Sequence, residues 1–204
     1  MRNVRWVLVA AVIALAAPGC SKDSDAARIE KIRQSGDVEA LAVEVQGGSA
    51  DTARLAVRAM ASLGPTALPH VERALEDSRP EVREEAAVAY SRVAVGAPMQ
   101  RLAAVARKDP SDSVRAAAVT GLGNARALDE MEALLAAAED PDAMVRERAT
   151  TAIARIIGRR YELYVDGTPE ERHAAVGKLR EQWPQLERDT RAYYESLRRK
   201  PAAK

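Results

Sequence analysis

From about residue 37 the apolar positions fall three and four apart, and the runs that carry them are cut by short polar turns. One turn recurs as Asp77-Ser-Arg-Pro-Glu-Val-Arg83, Asp109-Pro-Ser-Asp-Ser-Val-Arg115 and Asp140-Pro-Asp-Ala-Met-Val-Arg146, at spacings of 32 and 31 residues. A helical run follows each turn, over 84–93, 116–122 and 147–157, and a shorter one precedes it, over 68–76, 99–108 and 128–139. A degenerate earlier unit covers 37–45, Gly47-Gly48 and 51–64. Each unit is a helix pair that can bury its apolar stripe only against its neighbours, and four stacked pairs are enough to make a stable array.

Equivalent positions of the second helices carry the stripe. Ala53, Val82, Val114 and Val145 begin it, Val57, Ala86, Ala118 and Ala149 continue it, and Ala61, Tyr90, Leu122 and Ile153 extend it by another turn. Small residues fill the positions beside it, which predicts helices approaching one another closely. Pro80, Pro110 and Pro141 fall at or just before a first helical turn, where a missing N–H costs nothing. Gly64, Gly96 and Gly123 are expected to end the second helices.

Both ends depart from the repeat. Residues 20–25 read as a polar tether, and 25–35 as a short amphipathic helix around Ile29 and Ile32 that caps the first pair. The array spans 26–158, followed by a helical cap over 159–200 and a tail over 201–204. Thr168-Pro169-Glu170-Glu171 is a capping box with proline at the first helical position. The helix it opens points Ala175, Leu179 and Trp183 inward, and Pro184 is expected to start a second one through Leu186, Tyr193 and Leu197. Tyr161, Tyr164, Trp183, Tyr193 and Tyr194 all lie in this segment. They can seal the last small-residue layer or, with flanking arginines, form a recognition patch.

The Asp-Pro-x-x-x-Val-Arg-x-x-Ala pattern resembles the HEAT repeats, in particular the short bacterial type first described in phycocyanobilin lyase subunits, over residues 37–158. The resemblance implies an all-α fold, a right-handed α-solenoid of about four helix pairs with helical caps. It also implies a ladder between adjacent repeats built from an Asp and an Arg six residues apart, here Asp77 with Arg83, Asp109 with Arg115 and Asp140 with Arg146. In the first unit Arg54 is retained but Gly48 stands where the aspartate belongs. In such arrays the second helices line the concave face, which makes Arg58, Glu85, Arg92 and Arg148 candidate partner contacts, with Trp183, Tyr193 and Tyr194 from the C-terminal segment.

The first nineteen residues follow a different logic. Arg2 and Arg5 precede an apolar run from Trp6 to Ala17, the layout of a secretory signal, and the run is short for a membrane-spanning helix. Ala17-Pro18-Gly19-Cys20 resembles the lipobox of bacterial lipoproteins, although Ala17 stands where leucine is preferred. That resemblance implies cleavage after residue 19, a lipidated Cys20 and a membrane anchor. Ser21 is similar to the sorting pattern of outer-membrane lipoproteins, which places the body in the envelope facing the periplasm.

Composition narrows the chemistry. Hydrophobic residues make up 47% and charged ones 30%, while aromatics are 3% with no Phe, and roughly a fifth of the chain is Ala, which favours thin helical layers over a sheet sandwich. The 31 basic and 30 acidic side chains leave a net charge of +1, without the basic excess a nucleic-acid binder needs. A single Cys and two His give no cysteine-based metal site, and no cofactor motif occurs. His70 and His173 have no obvious nucleophile or carboxylate partner at helical spacing and read as isolated histidines. The chain therefore reads as a non-catalytic protein-binding or scaffolding protein with an unidentified protein partner. The alternative is an envelope enzyme or assembly subunit acting through its aromatic C-terminal helices.

Overall fold

A computed structural model describes residues 21–163 and 165–199. The signal segment, Cys20 and Tyr164 lie outside these residues.

Ten α-helices follow one another among the described residues: α1 Ser21–Ser35, α2 Val38–Gly47, α3 Ala50–Leu63, α4 Leu68–Ala74, α5 Pro80–Val93, α6 Gln100–Lys108, α7 Asp112–Asn124, α8 Met131–Ala137, α9 Ala143–Ile157 and α10 Pro169–Arg199. They form two layers. The second helices α3, α5, α7 and α9 pack consecutively on one another, and α1 packs on α3, which extends this layer by one helix at the N-terminal end. The first helices α2, α4, α6 and α8 form the other layer, each held chiefly by the second helix of its own pair. This is an all-α solenoid of four helix pairs with a helix at each end.

The apolar stripe read from the repeat is the core. Ala53, Val57, Val82, Ala86, Val114, Ala118, Leu122, Val145, Ala149 and Ile153 are all fully buried. Val71, Leu102 and Leu134 reach them from the first helices and are buried too. First helices are only seven to ten residues long, and two are preceded by 3-10 turns, Gly64–Ala67 and Leu128–Glu130. Such short helices bury little alone, so packing against the second layer stabilises them.

The helix ends follow local chemistry. Asp37, Ser49 and Asp142 cap their helices by accepting the N–H three residues on. Gly64 and Gly158 close α3 and α9 with positive φ, 78° and 81°. Gly123 does not end α7, contrary to the expectation from sequence, but lies buried inside it. A Cβ there would stand 2.6 Å from the Ala152 Cβ, so the glycine is needed where α7 and α9 cross. The turn after α7 is made by Arg126 instead, at φ 50°.

Both caps differ from expectation. The stretch read as a tether is helical from Ser21, because α1 starts there. At the other end one helix replaces the two expected, since α10 runs through Pro184 without a break. Pro184 is exposed while Val176, Leu179 and Trp183 face inward, so the carbonyl that its missing N–H releases lies on the solvent side. The capping box forms: Thr168 N–H donates to Glu171 Oε2 at 2.8 Å and Glu171 N–H to Thr168 Oγ1 at 3.2 Å.

Candidate interaction site

The ladder fixes the spacing of the repeats. Arg83 donates from Nε and Nη2 to both carboxylate oxygens of Asp109, at 2.8 and 2.9 Å, and Arg115 does the same to Asp140, at 2.9 Å for each bond. The remaining nitrogen turns back on its own repeat: Arg83 Nη1 donates to the Asp77 carbonyl at 2.9 Å and Arg115 Nη1 to the Asp109 carbonyl at 3.0 Å. The pairs six residues apart thus meet through the aspartate backbone, while the carboxylate belongs to the arginine of the preceding repeat. Each carboxylate also caps its own turn, Asp109 accepting from Ser111 N–H at 3.0 Å and Asp140 from Asp142 N–H at 2.9 Å. One aspartate therefore joins a turn, a helix start and a neighbouring repeat, and the planar guanidinium fork makes the three-way connection possible.

Burial alone would raise the Asp109 pKa, but the Arg83 guanidinium and the Ser111 amide hold its carboxyl below the usual range. Asp77 is likewise held low, chiefly by hydrogen bonds from Arg79.

The end rungs are built differently. Asp77 is gripped by Arg79, with two side-chain bonds of 2.8 Å and one backbone bond of 2.9 Å. Arg79 also reaches back to the first pair, donating to the Gly48 carbonyl at 2.8 Å and the Val45 carbonyl at 2.7 Å. It stands in for Arg54, which has no partner among the described residues and lines a cavity of about 470 Å³ with Asp25, Thr52 and Arg58. At the far end Arg146 has no further repeat, and bonds the Asp140 and Pro141 carbonyls and, at 2.7 Å, the Val165 carbonyl. The role of Arg79 was hidden in the sequence, though Gly48 in place of an aspartate marked the place to look.

The expected partner contacts divide. Arg58 and Glu85 are joined to each other across α3 and α5 at 2.6 and 3.0 Å, with the Arg58 side chain still 58% exposed. Arg92 and Arg148 are exposed on α5 and α9, and Arg155 of α9 bonds the Asn124 side chain of α7 on the same layer. Val88, Ala117 and Thr120 are half-buried and Thr151 is exposed on the same second helices.

In the C-terminal segment the structure corrects one candidate and qualifies another. Trp183 is 8% exposed and packs into the core, so it seals the last layer and is not a contact for a partner. Tyr194 is half-buried, donating its hydroxyl to the Ile156 carbonyl at 2.8 Å, and Arg126 lies over its ring at 5.0 Å. Tyr193 is 59% exposed, tilted against Tyr194 with ring centroids 5.7 Å apart. Along the rest of α10, His173, Arg180 and Arg191 bond Glu139, Glu132 and Asp129, which ties the helix to the last pair.

The histidines acquire carboxylate neighbours that helical spacing could not reveal. His173 Nδ1 is 2.7 Å from Glu139 Oε1 and His70 Nε2 is 3.2 Å from Glu39 Oε1. The first pair is a surface bridge, the His173 side chain being 77% exposed. Among the described residues no cluster of three or more His, Cys, Asp and Glu could hold a metal ion. No helix among them is long and apolar enough to cross a membrane.

Residues 99–176 match the family model of the HEAT repeats. A solved structure, the complex of CpcE and CpcF of phycocyanin lyase from Nostoc sp., is similar with a TM-score of 0.53 and 20% identity, over 71% of this chain and 89% of that one. No curated protein matches.

Proposed function

We propose that this chain, a HEAT-repeat protein, is a non-catalytic scaffold that binds a protein partner along the open face of its second helices and is held in the bacterial envelope by lipid on Cys20. The observation that carries the binding reading is the second layer itself. Interlocked arginine rungs hold α3, α5, α7 and α9 in register, while those helices carry the exposed Arg58, Arg92 and Arg148. A solenoid held this way offers a long, pre-organised surface, and pre-organisation lowers the entropic cost of binding. The similar solved structure comes from a two-protein complex, which favours the same use. The alternative of an envelope enzyme gains little from His173, whose imidazole is 77% exposed in its bridge to Glu139.

The anchor rests on the sequence of residues 1–20 alone. A basic start, a short apolar run and Cys20 after small residues support cleavage, acylation and an outer-membrane address facing the periplasm. Crosslinking in native envelopes followed by mass spectrometry tests the scaffold: crosslinks from the second-helix face to one protein are expected, and recovery of none overturns the reading. The mass of the N-terminal peptide tests the anchor separately. Acylated Cys20 is expected, and an unmodified Cys20 or an intact Met1 overturns it.

A further inference from the structure

Cys20 is bonded to Ser21, and α1 is helical from Ser21, so no residue lies between the site of lipid attachment and the first helix. Where α1 begins therefore sets which part of the body meets the membrane. Asp25, in the second turn of α1, accepts from Thr52 Oγ1 in the first turn of α3 at 2.9 Å, and the Ser49 hydroxyl that caps α3 is 3.0 Å from the same atom. α1 thus runs parallel to α3 and starts at the edge where α3 starts.

That edge is the one the ladder stitches together. Arg79 reaches the Gly48 carbonyl, Arg83 reaches Asp109, Arg115 reaches Asp140 and Arg146 reaches the Val165 carbonyl. The turns 48–49, 75–79, 109–111 and 138–142 and the approach to α10 therefore follow one another along a single line. With neighbouring helices about 8–10 Å apart, the four steps from α1 to α9 make this line roughly 35 Å long. The opposite edge lies one helix length away, about 20 Å. α10 starts near the ladder edge and ends at the opposite one, where Tyr194 bonds the Ile156 carbonyl, so Arg198 and Arg199 are carried to the far side.

The arginines and aspartates of the ladder satisfy one another, and the side chains this edge leaves exposed include Ser78, Pro80, Pro110, Pro141, Ala143 and Met144, the last at 40%. Exposed charges of both signs stand among them, Glu81 and Asp112 with Lys108. Small and apolar groups with a few charges of either sign suit a zwitterionic headgroup layer. A chain standing on α1 alone would instead press Arg28, Glu30, Lys31 and Gln34, all exposed, against the leaflet, and those groups are better hydrated.

We propose that the ladder edge rests on the headgroup layer of the leaflet that holds the acyl chains of Cys20, with the second helices upright on it. The inference rests on the lipid-anchor reading and adds a posture to it. In this posture the second-helix face opens sideways to a partner, and the basic end of α10 points away from the leaflet.

Cys20 is the only cysteine, and acylation blocks its thiol, so one introduced cysteine carries a fluorophore alone. The acylated full chain is placed in vesicles of phosphatidylethanolamine and phosphatidylcholine that bear a nitroxide on the headgroup. Quenching is read at Ser78→Cys, Pro110→Cys and Ala143→Cys on the ladder edge, and at Val95→Cys and Ser196→Cys on the opposite edge, all at exposed positions. Thermal melts confirm that each variant is folded. Quenching several-fold stronger at the three ladder positions, and similar among them, is expected. Equal quenching at the two edges overturns the proposal, and so does a steady decline from Ser78 to Ala143, the signature of standing on α1.

Inserting about ten Gly and Ser residues after Ser21 gives roughly 17 Å of slack and should abolish the difference between the edges. A lengthened chain that keeps the full pattern overturns the role given to α1. Flotation with the vesicles separates the two readings. If the chain floats and its ladder positions are not quenched, the anchor stands and the posture falls. If it does not float and Cys20 carries no lipid by mass, both fall.

Discussion

At Arg83 and Arg115 the guanidinium reaches forward to the aspartate of the next repeat and back to its own turn, so each interior rung closes on both sides. At the ends one side is missing. At the first junction Arg79 takes the place of Arg54, holding Asp77 with one edge and the Gly48 and Val45 carbonyls with the other. Beyond the last repeat Arg146 substitutes the Val165 carbonyl for a carboxylate. The array thus needs an arginine bridging each junction more than it needs the same arginine at each. At the first junction the ion pair is kept, with Arg79 in place of Arg54, and backbone carbonyls complete the bridge, whereas beyond the last repeat a carbonyl stands where the carboxylate would be.

The sharpest way to break the comparison is to remove an interior arginine. Arg115→Ala leaves Asp140 nearly buried and unpaired, and should cost about 3 kcal/mol. In thermal unfolding that is a fall in Tm of roughly 6–12 °C; an unchanged Tm would deprive the ladder of its structural meaning. Next comes a test of layer spacing independent of charge. Gly123→Ala drives a Cβ into Ala152 and should destabilise by about 1–3 kcal/mol, measurable by urea unfolding. At the end rung, Arg79→Ala should lose about 1–2 kcal/mol, less than the interior arginine because Asp77 is nearer solvent and can be rehydrated. If it equals or exceeds Arg115→Ala, terminal and interior rungs are energetically alike and the contrast drawn above disappears.

Acid sharpens the comparison further. The Asp77 and Asp109 carboxyls are held low in the folded chain, so each contributes stability above its unfolded value of about 3.9, and loses it as pH falls through the depressed folded value. Asp109→Asn should therefore be less stable than the unaltered chain near pH 7, with the gap narrowing toward about pH 3 in denaturant titrations; a constant gap would mean that the carboxylate charge is not what the rung uses. The smallest effect is expected at Arg58 and Glu85, where the exposed guanidinium limits the gain. A double-mutant cycle there should give a coupling below about 1 kcal/mol. A larger value would make this pair part of the ladder instead of the surface.

The helix pairs, their boundaries within a few residues and most of the buried stripe were legible, because a solenoid is held by contacts close in sequence and each unit writes the same pattern again. Val82, Val114 and Val145 could be placed in the core from their spacing alone, and the capping box at Thr168 could be read as it forms. The candidate site was legible only in part. Arg58 and Glu85 were named as separate contacts and prove to bind each other, because a pair 27 residues apart is joined by stacking and not by helical periodicity. Trp183 can be read in sequence either as a seal for the last layer or as a recognition residue, and in space it is a core residue.

By itself the sequence determined what repeats: the turn with its aspartate, the arginine six residues on, and the apolar stripe that makes every second helix pack on the next. These are local rules, and repetition multiplies them. Only the tertiary structure decided what happens where repetition stops. It gave the first rung to Arg79, let α10 run through Pro184, and turned Gly123 into a crossing point. At the ends no identical neighbour dictates the partner, so hydrogen-bond and packing demands are met by whichever group the folded chain happens to bring within reach.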